Sequence, residues 1–302
     1  MTVSVAVTIP QWGEKAGPDA WQQIANTVEE VGFDALLRGD HVTFPKIMGD
    51  KGDLEFGPKT STVDAFATLS FLAGCTEGIS IGTNVCVVPY RHPVLLAKLA
   101  LSLDALSGGR FEFGVGAGWL APEFEVLEIS HEERGSLTTE FLEVFEQVCG
   151  NDVTGFDGQF HSFPETGFYP RPTDEEGPTI WVGGDSSAAL RRAARFGDGW
   201  TVVRKTPDDV REGRDRLLRA WNDYDRSSDP ELAVTQQCYV GTDTEGLKEE
   251  SPLVGPPDAV AEGIVAYVDA GATRITLRQP DLPIDDRIGQ LRRFAEEVRP
   301  LI

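Results

Sequence analysis

The chain has 302 residues, of which 40% are hydrophobic and 25% charged, and it carries 49 acidic against 27 basic side chains, a formal charge of −22 at pH 7. Such a field repels nucleic acid and anionic membrane, which argues against both as partners. No apolar run approaches the length of a membrane helix, and the length suits either two domains or one α/β barrel.

Lysine is scarce: Lys15, Lys46, Lys51, Lys59, Lys98, Lys205 and Lys248 are the full set. Few lysines and many carboxylates suit solubility in concentrated salt, so a halophilic source is one explanation and an acidic mesophile surface the other. Cys75, Cys86, Cys149 and Cys238 are widely spaced with no Cys-x-x-Cys. They read as reduced thiols rather than as a disulfide set or a zinc site.

The amino-terminal Met1-Thr2-Val3-Ser4-Val5 enters a strand without the basic start of a signal peptide, so a cytoplasmic location is expected. Strands are predicted over residues 3–9, 35–39, 79–88, 111–115, 179–182, 200–203, 233–240 and 274–277, all rich in Val, Ile, Phe or Trp, as strands buried on both faces are. Helices lie between them. Pro93 suits a first helical position ahead of Leu96, Leu99, Leu103 and Leu106, His92 suits its cap, and Gly108 its end. Ser186 or Ser187 can cap a helix running through Arg195 and closed by Gly197. Ile288, Leu291, Phe294, Ala295 and Val298 recur at three-and-four spacing in a last helix.

A weak repeat of helix, glycine and apolar strand recurs at Gly32, Gly108-Gly109, Gly197 and Gly271. Each glycine is expected to end its helix in a left-handed conformation. Eight strands with helices between them predict a (β/α)8 barrel as a single domain over residues 1–302, with a doubly wound sheet as the other possibility. Three longer stretches, residues 46–62, 151–177 and 242–257, read as insertions beyond the carboxyl rim, and the aromatic middle one is expected to cover a pocket.

Several familiar motifs fail. Gly114-Val115-Gly116-Ala117-Gly118-Trp119 follows a strand, but Trp119 stands where a dinucleotide fingerprint needs glycine. There is no P-loop and no Gly-x-Ser-x-Gly elbow, and His41, His92, His131 and His161 show no metal-ligand spacing. What remains is a set of strand ends: Asp40-His41, Gly82-Thr83-Asn84-Val85, Ala117-Gly118-Trp119 and Gly183-Gly184-Asp185-Ser186. Barrel enzymes keep their chemistry at such ends. His41 titrates near neutrality and suits proton transfer, with Asp40 to tune it; the plainer account is a loop cap beside a packed imidazole. The Gly183–Ser186 turn is either an anion site, through close backbone approach and a helix N-terminus, or a tight turn with a serine cap.

In order, these segments resemble the luciferase-like monooxygenase superfamily, in particular its branch of coenzyme F420-dependent oxidoreductases. The likeness rests on Gly32-Phe33-Asp34 with Gly39-Asp40-His41, on Ile81-Gly82-Thr83-Asn84-Val85 with Arg91-His92-Pro93, on Leu103-Asp104-Ala105-Leu106-Ser107-Gly108-Gly109-Arg110, on Gly114 to Trp119, on Glu133-Arg134-Gly135, and on Trp181-Val182-Gly183-Gly184 with Gly197-Asp198-Gly199-Trp200. The resemblance implies a (β/α)8 barrel with an isoalloxazine-like ring at its mouth. It implies a non-prolyl cis peptide at Asn84-Val85 behind the ring, Asp40 near the ring edge, and His41 as acid–base residue. Thr83, Ala117 and Gly118 would contact the cofactor, and Gly183, Gly184, Asp185 and Ser186 would hold its phosphate. The sugar-phosphate dehydrogenases of this branch carry a glutamate where this chain has Trp119, which argues against glucose 6-phosphate. Trp12, Phe44 and Trp119 then suggest a more apolar or ring-shaped substrate, although Trp12 also reads as rim packing. A flavin mononucleotide (FMN)-dependent monooxygenase served by a flavin reductase, a non-catalytic flavin-binding barrel and an unrelated phosphate-binding barrel are the rival readings. Family analogy implies a homodimer.

Overall fold

The computed structural model describes residues 3–13, 15–44, 57–224, 226, 228–243 and 251–302. Parallel strands β1 (Ser4–Thr8), β2 (Ala35–Arg38), β3 (Ser80–Thr83, resuming at Cys86–Val87), β4 (Phe111–Gly116), β5 (Ile180–Gly183), β6 (Gly199–Val203), β7 (Glu231–Gln237) and β8 (Arg274–Arg278) alternate with helices. β1 pairs with both β8 and β2, and Ile81 opposite Phe111 joins β3 to β4. The sheet therefore has no edge and is a closed (β/α)8 barrel, which rejects the doubly wound alternative.

The outer face of each strand carries the apolar pattern. Val5, Val7, Leu36, Ile81, Phe113, Val182, Val234 and Ile275 belong to one large core shared with the helices. Alternate residues face inward. Of these, Ala6, Ala35 and Leu37 form a small cluster of their own, and most of the rest are glycine, threonine or charged. The inner face is therefore less apolar than the runs suggest. Near its amino end, Arg274 holds the Glu112 carboxylate with Nη1 and Nη2, and the Trp181 indole N–H donates to the same carboxylate at 3.0 Å.

The helix ends follow the chemistry read from the sequence. His92 caps the helix Pro93–Ser107 by accepting from the Val94 N–H, and Gly108 closes it at φ 65°. Ser186 caps Ser187–Phe196. Gly197 departs from the expected left-handed turn: its φ is −92°. Glycine is needed there for close approach, because a Cβ would lie 3.0 Å from the Ala193 carbonyl oxygen and 3.1 Å from Val182.

The middle insertion does not roof the mouth. It connects the helix Arg134–Gly150 to β5, so it leaves and rejoins the barrel at the amino end of the strands. It forms an antiparallel hairpin, Val153–Asp157 with Ser162–Gly167. Phe156, Phe163 and Phe168 join the outer core. The hairpin turn is tied to Glu140 and stacks His161 edge-on to His92, with ring centroids 5.1 Å apart. The other two insertions do leave from carboxyl strand ends. Residues 46–56 and 244–250 within them lie outside the described residues.

Candidate active site at the carboxyl mouth

Asp40, Asn84, Gly118 and Gly183 follow or end β2, β3, β4 and β5, which are neighbours in the barrel, so all four come to one mouth. Their side chains do different things there. The Asp40 side chain has no accessible surface. Its oxygens receive Arg91 Nη1 at 2.6 Å, Arg91 Nη2 at 2.9 Å and the Val87 N–H at 3.0 Å. Arg91 also reaches Asp64, the cap of the helix Ala65–Cys75, at 2.8 Å. Burial lowers the Arg91 pKa, but Asp40 more than reverses this and keeps it above the ordinary arginine value. Asp40 is thus a fixed anchor between β2 and β3, enclosed by protein rather than presented to a ligand.

His41 takes different partners. Its Nδ1 lies 2.9 Å from Glu123 Oε2. Glu123 is fully buried and also accepts from the Tyr90 hydroxyl at 2.7 Å and from the Val42 and Thr43 N–H groups at 2.5 and 3.0 Å. Burial pushes its carboxyl pKa up; His41, the Thr43 N–H and Tyr90 outweigh that and hold it below the usual value. An ionised acceptor at this position makes Nδ1 the donor. Trp12, Phe44 and Trp119 surround the ring, at centroid distances of 6.4, 5.2 and 6.3 Å. The three aromatics singled out in the sequence therefore meet around His41. Glu123 and Tyr90 were missed: neither lies at a strand end, and Glu123 is one of two acids in the run Glu123-Phe124-Glu125.

The Asn84–Val85 peptide is cis, at the break in β3. Asn84 Nδ2 donates to Thr235 Oγ1 at 2.9 Å, and Thr201 Oγ1 donates to Asn84 Oδ1 at 3.4 Å, so Asn84 spans the mouth to β6 and β7. Thr83 Oγ1 donates to the Gly114 carbonyl at 2.6 Å. The glycines that mimicked a dinucleotide motif have a packing purpose. A Cβ on Gly114, Gly116 or Gly183 would lie within 3.3 Å of the Val85 side chain, and one on Gly118 within 2.6 Å of Val87. Ala117 continues the same turn and is half-buried. Two buried donors inside the mouth, Gln237 Nε2 and Thr276 Oγ1, find no hydrogen-bond partner among the described residues.

In the Gly183–Ser186 turn, the Ser186 hydroxyl oxygen accepts from the Ala189 N–H at 3.1 Å, so the serine cap is realised. Gly184 has φ 109°, and its carbonyl accepts from the Trp200 indole at 2.6 Å. Asp185 pairs with Lys205 at 2.5 Å, which lowers the Asp185 pKa and raises that of Lys205. A cavity of about 800 Å³ opens beside Trp12, between the ends of β1 and β8, and a second of about 440 Å³ lies by Lys205 and Tyr267. Among the described residues no group of three or more His, Cys, Asp or Glu side chains is placed to hold a metal ion, and no helix is long and apolar enough to cross a membrane.

A sequence model described as luciferase-like monooxygenase matches residues 1–252. An uncharacterized protein of Mycobacterium tuberculosis is 28% identical over 281 residues, covering 91% of this chain and 93% of the relative. The F420-dependent glucose-6-phosphate dehydrogenase of Microbacterium testaceum is 25% identical over 344 residues, covering 99% of this chain and 98% of that protein. Two solved structures share the fold. An F420-dependent secondary alcohol dehydrogenase in complex with an F420-acetone adduct has TM-score 0.84 at 18% identity and covers 100% of both chains. The oxygenating constituent of 3,6-diketocamphane monooxygenase from Pseudomonas putida, in complex with FMN, has TM-score 0.79 at 17% identity and covers 100% of this chain and 99% of its own.

Proposed function

Because this chain belongs to the luciferase-like monooxygenase family, we propose that it is an oxidoreductase that binds coenzyme F420 at the carboxyl mouth and passes a hydride between it and a small organic substrate. The observation that carries this reading is the His41 imidazole, oriented by the buried Glu123 carboxylate and ringed by Trp12, Phe44 and Trp119. The deazaflavin supplies the hydride chemistry when bound. The residues present fit such a group. Val85, backed by Gly114, Gly116 and Gly183, offers an apolar surface for one ring face. The partnerless Gln237 amide N–H suits a ring carbonyl, and Lys205 with the start of the helix Ser187–Phe196 suits a phosphate.

His41 exchanges the substrate proton at Nε2 while Glu123 keeps Nδ1 protonated and stabilises the imidazolium. Trp12, Phe44 and Trp119 orient an apolar part of the substrate and keep water from the reacting carbon. Asp40, through Arg91 and Val87, holds the broken third strand in register beneath them. The F420-dependent relative, matched along 99% of this chain, favours the deazaflavin; the FMN-bound structural neighbour supplies the rival coenzyme.

Titrating apoprotein with F420 and with FMN tests the proposal. Saturable binding of F420 is the expected result. Binding of FMN alone replaces the coenzyme, and binding of neither ends the redox reading. His41→Gln should lower kcat by about 10²- to 10⁴-fold while coenzyme affinity stays near wild type.

A further inference from the structure

We propose that the outer face of the helix Ser187–Phe196, over its first two turns, binds an anion that carries more than one carboxylate or phosphate group. Four arginines from three helices meet there. Arg191 and Arg192 lie in the second turn. Arg192 Nη1 donates to the Gly135 carbonyl at 3.3 Å, which sets it beside Arg134 at the start of the helix Arg134–Gly150. Arg216, from the helix Pro207–Trp221, donates to Ser187 Oγ at 3.2 Å. Ser187 and Arg191 are four residues apart and share a face of their helix.

These guanidinium groups do not meet carboxylates. Arg134 donates to the His131 carbonyl at 2.6 Å, Arg192 to that of Gly135 and Arg216 to a hydroxyl. None of the four forms an ion pair among the described residues, whereas Arg91, Arg195 and Arg274 do. The acids nearby are engaged or apart. Asp185 holds Lys205 at 2.5 Å, and Arg216 lowers its pKa further. Glu143 holds Arg195 at 2.9 Å. Glu132 and Glu133 precede Arg134 in the chain, are exposed, and pair with none of the four. Burial lowers the Arg192 pKa, and the charges of Arg191 and Arg134 lower it further. Arg91 is the contrast, because there Asp40 reverses the effect of burial. Arg192 Nε is buried and has no hydrogen-bond partner among the described residues, so a donor is left over in a crowd of like charges. An anion with several oxygens supplies the missing acceptor and relieves the repulsion, and the guanidinium fork matches carboxylate and phosphate alike.

This face adjoins the Gly183–Ser186 turn. Arg191 lies five residues beyond Ser186, about 7 Å along the helix axis. A coenzyme tail with carboxylates beyond its phosphate, as F420 has, spans both places; FMN ends at its phosphate and stops at the turn. Assigning the anion to the coenzyme rests on the redox reading above; the anion site itself does not.

The test is calorimetric titration of apoprotein with citrate, at low and at high salt. Saturable binding is expected, and it should weaken with salt. Affinity should fall about threefold in Arg191→Gln, the loss of an exposed charge. It should fall about tenfold in Arg192→Gln, which also loses a charge-assisted hydrogen bond to the ligand. Arg292→Gln, on the last helix and paired with Glu30, should match wild type. If Arg192→Gln lowers the melting temperature, Arg191→Gln, at an exposed position, carries the test. No saturable binding of citrate, or equal affinity in wild type and both variants, overturns the proposal. Repeating the titration with saturating F420 identifies the source of the anion: competition assigns the site to the coenzyme's tail, and retained binding assigns it to a separate acidic molecule. Citrate binding without any F420 binding would sink the redox reading and leave this site standing.

Discussion

At the scale of single residues, adjacent positions have opposite duties. Asp40 is enclosed and paired, whereas His41 faces an aromatic pocket with a buried carboxylate behind it. Glu123 is the residue whose loss tells most. Its carboxyl pKa in the folded protein lies below the ordinary 4.5. The stability it contributes is therefore fully present above about pH 4.5 and is lost as pH falls through the folded value. We expect Glu123→Gln to cost about 1.5–3 kcal/mol at pH 7, the range for a hydrogen bond to a charged group. The gap between wild type and variant should narrow below pH 4.5, as urea unfolding at a series of pH values would show. A gap independent of pH would mean that Glu123 folds uncharged. His41 was legible as a strand-end imidazole; its partner lies 82 residues away, and no local pattern joins the two.

At the scale of elements, the hairpin Val153–Asp157 with Ser162–Gly167 shows how far a stretch of sequence can mislead. Its aromatic content reads as a pocket cover, yet it lies along the outer helices, because it connects a helix to the strand that follows. Its tip is held by Glu140, which accepts from the Phe160 N–H at 2.9 Å and meets His161 Nδ1 at 2.8 Å. Glu140→Ala should raise amide hydrogen exchange across residues 153–167 and leave the barrel strands protected, since local opening follows local contacts. Exchange that rises equally in β4 and β5 would show that the clasp supports the barrel as well. The residues themselves read as one strand over 79–88; the cis Asn84–Val85 peptide at its break was anticipated through the family resemblance.

At the scale of the whole molecule, closure and charge dominate. The closed sheet leaves an interior of small and polar side chains, plugged near the amino end by Glu112, Arg274 and Trp181. Outside, the excess of acidic side chains, a net charge of −22, is self-repelling. Raising ionic strength from about 0.1 to about 1 M shortens the Debye length from roughly 10 to roughly 3 Å and relieves that repulsion. The melting temperature should climb steadily over that range, measured by calorimetry at fixed pH. A flat or falling profile would remove the halophilic explanation for the scarce lysines.

The amino-acid order by itself determined the strands, most helix caps, the glycine joints and the line of polar strand ends, since each depends on neighbours a few positions apart: periodicity, a capping oxygen, a residue without a side chain. Only the tertiary structure decided what those pieces meet. Closure brings β1 beside β8 and opens a cavity between them. It brings Glu123 behind His41, Asn84 across to Thr235, and Val85 against three glycines. These contacts follow from how the sheet curls and which helix face packs on it, and that is a property of the assembled chain, not of any segment.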